Sequence, residues 1–410
     1  MARTIRKFVN RPFIKTVDLD LLERLLAPFQ IQIPGGLSSL PSHEPDRREA
    51  LFQMFAVVDD LPDGLKDALH VVSHMATPNG ARLLKEHADR RGIVLVPADE
   101  IAGEGDGRHL SPRHLALRAY IEQRKLFDRV LDVLAFIEPS STYERSGEEE
   151  NVHSLHDDQN ARAAFKEACS AFYAGRYHGK YCDVRWYPEE GEINVLVLHG
   201  KNMVTTNVEE ESGERVLSFR EISQDTIRYQ PSTGFIRTSA LAETERKELA
   251  RLFAVHLLRR PEFFDGADAH NLYTLEPINR LGAAFRMRTE WDHALRAVTL
   301  TEVQVDGSER RPDGKWRSSP WAFTMRDSTN AVAKLVEMLP DVDLRYARIV
   351  YVKFRFDFDL DGKVRTIVVK VKPEDRVSFR RDAFEPQIME HLRRNGLCLP
   401  RVAALAAAAE

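Results

Sequence analysis

Cysteine is nearly missing from this sequence. Its 410 residues include three, Cys169, Cys182 and Cys398, scattered and without a CxxC pair. Such a sparse, odd set excludes a disulfide scaffold and fits a reducing cytoplasm. Long apolar runs are missing as well: none approaches the ~18 residues of a membrane span. The basic start MARTIRKFVNRPF leads into no apolar signal core. The expectation is a soluble cytoplasmic protein with no membrane contact.

Catalytic signatures are equally scarce. The chain has no P-loop, no GxGxxG after a strand and no GxSxG elbow. HVVSH sets His70 and His74 one helical turn apart, with His87 one helix on. The position that holds the glutamate base of a zinc protease is Val71. NVHSLHDD collects His153, His156, Asp157 and Asp158, metal-binding types in the setting of a solvated loop. Cys182, with His178 and His199 near in sequence, reads as a small buried hydrophobe rather than a nucleophile. Neither a metal nor a cofactor is expected.

DFDLDGKVRTIV, residues 357–368, begins like a calcium loop. Its twelfth position, which must supply a bidentate glutamate, is Val368. The flanks alternate instead: Phe354, Phe356 and Phe358 on one parity, Lys353, Arg355 and Asp357 on the other. That is a half-buried strand. A two-residue turn at Asp361-Gly362 sets Phe356 opposite Ile367 and Phe354 opposite Val369. Lys353, Arg355, Asp357, Asp359, Thr366 and Lys370 then share the outer face.

The expected fold is α+β: a helical N-terminal domain, then an antiparallel β-rich region with hairpin–helix modules. Residues 1–138 form the helical domain. In it Asp18 caps DLDLLERLLAPF, IVLVP (93–97) is a short strand, and SPRHLALRAYIEQRKLFDRVLDVLAFIEP is one helix opened by Ser111-Pro112. Residues 139–160 are an acidic polar loop or linker. Two α+β modules follow, 161–275 and 276–402, and residues 403–410 are an Ala-rich tail. In the first module, hairpins turn at Pro188–Gly191 and at PSTG. In the second, Leu281–Val305 reads as strands, and Ser328 caps the helix STNAVAKLVEML. Both modules run hairpin then helix, a resemblance in order rather than in residues.

Charge is uneven along the chain. From Glu276 onward there are 24 Lys and Arg against 20 Asp and Glu, whereas the whole chain carries −4. The basic excess is interleaved with aromatics in GKWRSSPW, KFRF and VSFRR, a pattern that can hold phosphates and stack on bases. The expected function is therefore a non-catalytic binding or adaptor protein, a subunit of a larger assembly with a protein partner. Nucleic acid is a further candidate partner, contacted through Lys315, Trp316, Arg317, Trp321, Lys353, Arg355, Lys370, Arg380 and Arg381. One alternative is a divergent metal-dependent nuclease built around Asp292, Glu302 and Gln304, or another unrecognised enzyme. The other is a purely structural scaffold.

Overall fold

The computed structural model describes residues 11–29, 39–56, 61–98, 108–137, 142–189, 191–210, 213–310, 316–317, 321–340, 344, 347–360, 363–374, 376–379 and 384–399. The chain forms two compact units, Met1–Phe136 and Ile137–Glu410. Among the described residues no helix is long and apolar enough to cross a membrane.

The first unit is built from α1 (Arg11–Thr16), α2 (Leu19–Leu26), α3 (Glu44–Ala56), α4 (Asp63–Met75), α5 (Pro78–Asp89), α6 (Pro112–Glu122) and α7 (Arg124–Ile137). The 3.6-residue spacing works as expected. Leu21, Leu22, Leu25 and Leu26 are all buried, as are Leu65, Leu69, Val72 and Met75 on α4. Thr77 and Ser111 cap α5 and α6, each accepting the N–H three residues on.

Three expectations fail in this unit, one of them the cap at Asp18, whose side chain makes no capping hydrogen bond to α2. The segment 93–97 is coil, with Val94 72% exposed. It has no ladder partner among the described residues. The long helix breaks at Gln123, whose φ of −132° and ψ of 52° lie outside the helical region. No Gly or Pro marks that break; packing makes it. Tyr120 and Phe127 would stand about 10 Å apart along a straight helix. Their rings instead meet edge-on at 5.3 Å, with Arg124 over the Tyr120 ring at 4.4 Å.

The second unit is the β-rich part, and the fold is α+β. Its first sheet contains β1 (Thr142–Ser146), β2 (Cys182–Glu189), β3 (Glu192–Glu210), β4 (Gly213–Gln230) and β5 (Phe235–Ser239), in the order β1-β5-β4-β3-β2. β1 lies inside the stretch read as a polar loop. Its alternating burial shows why it pairs with β5 despite its composition. Asp158, in the same stretch, caps α8 (Gln159–Gly175). α8 and α9 (Glu243–Phe253) cover one face of the sheet. Phe165, Cys169, Tyr173, Leu249 and Phe253 pack there on Val195, Val197, Ile227, Tyr229 and Ile236.

Next in sequence is α10 (Glu276–Leu281). Only from Leu295 is the segment 281–305 a strand, because a 3-10 turn and coil fill its first half. The second sheet contains β6 (Leu295–Asp306), β9 (Ala322–Arg326), β10 (Arg348–Leu360), β11 (Lys363–Lys372) and β12 (Arg376–Ser378), in the order β12-β11-β10-β6-β9. β7 (Glu309–Arg310) and β8 (Trp316–Arg317) make a separate small ribbon. Phe356 is opposite Ile367 and Phe354 opposite Val369, as the alternation requires. The turn residues 361 and 362 lie outside the described residues. α11 (Ala331–Met338) and α12 (Glu385–Arg394) bring Val332, Leu335, Ile388 and Leu392 into the core with the phenylalanines. The cap of α11 is Asn330 rather than Ser328. Asp327 closes the preceding turn on the N–H groups of Thr329 and Asn330, and this hands the cap to Asn330.

A buried ionic cluster links the two halves of this unit. Glu144 on β1 is fully buried and accepts Arg237 Nε at 2.7 Å and Tyr273 Oη at 2.6 Å. Arg237, from β5, also donates to Glu385 at the start of α12 at 2.8 Å. Burial disfavours the Arg237 charge, but Glu144 and Glu385 outweigh it and raise its pKa above the ordinary value.

Candidate functional site

β3 and β4 are 19 and 18 residues long, whereas strands in globular proteins usually run 3–10. The excess leaves the sheet. β2 accompanies β3 only as far as His199, and β5 accompanies β4 only from Thr226. Beyond those points β3 and β4 continue as a two-stranded arm, roughly 33 Å long at 3.3 Å per residue.

The root of the arm is fixed by a buried polar stack under α8. Tyr173 Oη donates to Asp225 Oδ2 at 2.5 Å, and His199 Nε2 lies 3.0 Å from the same oxygen. The His199 ring stacks on Tyr173 at 3.6 Å, and its Nδ1 faces the Gly200 carbonyl at 2.7 Å. Burial, with the Asp225 charge beside it, pushes the Tyr173 hydroxyl well above its usual pKa, so it remains a donor. Arg220 ties the root to the α8 C-terminal loop through the carbonyls of Tyr177 and Lys201. A register shift after Gly200 marks where the arm starts. A Cβ at Gly200 would run into the His178 backbone carbonyl oxygen. Gly200→Ala is therefore expected to loosen the root. Amide exchange in 203–220 should speed up while that of the sheet strands is unchanged.

Along the arm the cross-strand pairs alternate in character. One face carries Val204 opposite Phe219, Thr206 opposite Leu217, and Val208 opposite Arg215. Val204, Phe219 and Leu217 are 40%, 40% and 36% exposed, large values for apolar side chains in cross-strand contact. The other face carries a Thr205–Ser218 hydroxyl bond at 3.1 Å, with Met203, Val216 and Ile222 exposed. An isolated two-stranded hairpin is marginal in water. Among the described residues nothing pairs with the arm's edges, and apolar side chains stand in solvent, both marks of a contact surface. Charge is graded along it. The tip sequence VEEESGER holds four glutamates and one arginine. The root holds Arg220 and Lys201, the latter 2.9 Å from Glu221.

The outer face of the second sheet holds the basic residues expected from the sequence. Lys353 and Lys370 are direct cross-strand neighbours, and Arg355 follows on the same face of β10. Each is engaged locally. Lys353 Nζ lies 2.9 Å from Glu302, Arg355 Nε lies 3.1 Å from Asp357, and Lys370 Nζ sits 3.6 Å over the Tyr351 ring. Arg326 and Tyr351 also donate to Glu302, at 2.8 and 2.7 Å. Burial alone would raise the Glu302 pKa, but the donors Tyr351, Lys353 and Arg326 bring it down to about 2. The Lys370 pKa is lowered as well, by desolvation and by the adjacent Lys353 charge. Stability contributed by Glu302 is present above its ordinary pKa of 4.5 and is lost as pH falls through about 2. Glu302→Gln should therefore flatten the acid limb of a Tm-versus-pH curve between those values.

Trp321 is 38% exposed and lies against Gly307 and Phe323, beyond the β6–β9 ladder. The backbones of Trp316 and Arg317 form β8. Lys315, Arg380 and Arg381 lie outside the described residues. Lys353, Arg355 and Lys370 are thus brought together, and Trp321 stands at the far end of that sheet.

The carboxylates of the nuclease alternative are not brought together. Asp292 accepts from His391 Nε2 at 2.9 Å, and His391 packs beside Phe356 on the core side of the sheet. Glu302 is on the opposite face, paired with Lys353. Cys182 is half-buried, and its thiol is pushed up to about 11 by desolvation, so it is not an activated nucleophile. His70 and His74 meet ring to edge at 4.7 Å, whereas His87 is buried and contacts Arg91. Compared with known protein families and with curated proteins, the chain matches none.

Proposed function

We propose that this protein is a non-catalytic binding subunit and that the β3–β4 arm is its contact with a protein partner. The observation that carries this is the apolar stripe of Val204, Leu217 and Phe219 on a hairpin that leaves its sheet. The occupant we assign is a second copy of the chain. Laid antiparallel, each acidic end meets Lys201 at the root of the other arm, and the stripes face each other in the middle. Each arm offers roughly 33 by 10 Å, below the ~800 Å² per partner of a standard interface. An affinity on the order of micromolar follows, weakening with salt because the tip-to-root attraction is exposed.

Cross-linking tests the arrangement. Thr206 faces the stripe near the arm's midpoint, so a cysteine there approaches its symmetry mate. Thr206→Cys treated with a short bismaleimide should yield a covalent dimer that the unsubstituted protein does not. Full labelling by a monofunctional maleimide without any dimer would reject the antiparallel pairing. The Lys353–Lys370–Arg355 face supports polyanion contact as a second surface. Labelled RNA and DNA should then bind at low salt and release steeply as salt rises, and Lys353→Glu with Lys370→Glu should remove that binding.

A further inference from the structure

Asp18 precedes α2, at the position where a carboxylate would cap the helix. Its side chain makes no capping hydrogen bond. It turns instead to two histidines about 90 residues further along the chain. His109 lies in a single 3-10 turn (Arg108–Leu110), and His114 is the third residue of α6. His109 Nε2 is 3.0 Å from Asp18 Oδ2, and His114 Nε2 is 3.8 Å from the same oxygen. The two rings lie 4.8 Å apart and tilted by 55°. One ligand atom from each of the three side chains falls within 4.8 Å of the others, and the described residues hold no other such group of three.

We propose that Asp18, His109 and His114 form a binding site for a zinc-like divalent transition ion. The donor set is two imidazole nitrogens and one carboxylate oxygen, which zinc accepts and which magnesium and calcium do not prefer. A tetrahedron with zinc–ligand bonds of about 2.0 Å has edges of roughly 3.3 Å. The two separations from Asp18, 3.0 and 3.8 Å, bracket that edge, and with all three ligand atoms within 4.8 Å of one another the histidine nitrogens need only draw together to close the site. His114 is fully buried and the His109 side chain is 10% exposed, while that of Asp18 is 29% exposed. The site thus opens to solvent on the Asp18 side, where water takes the fourth position. The ion ties the start of α2 to the start of α6 and cross-links distant parts of the first unit.

A plain Asp18–His109 ion pair is the competing explanation. It accounts for one histidine but not for the second ring aimed at the same oxygen. Metal binding separates the two. The full chain, stripped with a chelator, is titrated with Co²⁺ and then with Zn²⁺. One equivalent of Co²⁺ should give the visible d–d bands of a tetrahedral N/O site, and Zn²⁺ should displace it. His109→Gln and Asp18→Asn should each weaken Co²⁺ binding on the order of 100-fold and abolish the bands. Asp18→Asn keeps a residue that can cap α2, so the fold is retained, as far-ultraviolet circular dichroism should verify. His70→Gln with His74→Gln should leave the bands intact. Absence of tight Co²⁺ binding to the unsubstituted chain would overturn the proposal. So would bands that survive His109→Gln or vanish with the His70–His74 pair. The site lies in the first unit and the arm in the second, so neither result bears on the other.

Discussion

Glu144→Ala should destabilise the second unit by about 3 kcal/mol, the cost of stranding a buried charge. Glu144 is fully buried and is the shared acceptor of Arg237 and Tyr273. Its removal leaves the guanidinium with Glu385 alone, and the Tyr273 hydroxyl loses its acceptor. For a unit of this size the melting temperature should fall by roughly 6–12 °C. Glu144→Gln keeps the shape and an acceptor, so it should cost less than the alanine. Replacing Glu144 and Arg237 together by apolar residues should recover part of the loss, because the exposed-to-buried transfer of both charges is then avoided. Urea denaturation followed by tryptophan fluorescence and circular dichroism checks all three variants. Equal stability of Glu144→Ala and the unsubstituted chain would mean that water or a rearranged Glu385 already serves Arg237.

The second large effect concerns association. Leu217→Asp with Phe219→Asp puts two charges into the middle of the proposed arm-to-arm contact. Each copy then faces like charges across the symmetry axis, in a stripe that association would dry. Affinity should fall by at least about 100-fold, roughly 2.8 kcal/mol, and the protein should sediment as single chains. Both positions are exposed in one copy, so the fold and melting temperature should change little. Charge reversal at the root, Lys201→Glu, is a weaker disruptor whose effect should vanish at high salt. A loss of folding in the double variant would instead make these side chains part of the copy's own core.

Some of this organisation is legible in the sequence because one periodicity decides it. Phe354, Phe356 and Phe358 alternate with charges, and a short acidic turn follows, so the pattern alone dictates the β10–β11 register. The Gln123 break is not dictated that way. Helix propensity is continuous through it, and only the Tyr120–Phe127 contact requires the bend. The segments VTTNV and ERVLSFREI on the arm alternate as strands do, but alternation does not say whether anything packs on them. Its one sequence signal is length, a continuous hairpin far longer than the sheet it belongs to. Asp18 was misread for a related reason. A cap is a local pattern, whereas His109 and His114 come from a part of the chain that only folding brings near. Among the basic residues, the alternation places Lys353, Arg355 and Lys370 on one face of the second sheet but does not say what engages them. Glu302 and Asp357 sit on that same face, and Tyr351 lies under Lys370.

The contact between copies is tested most directly by the molar mass of the full chain in solution, measured by light scattering from low to high micromolar concentration. A rise from the 46.9 kDa of one chain towards twice that value, abolished by the Leu217–Phe219 double substitution, is the expected result. A mass of one chain throughout, with the arm intact, would contradict the assignment of a second copy to the arm.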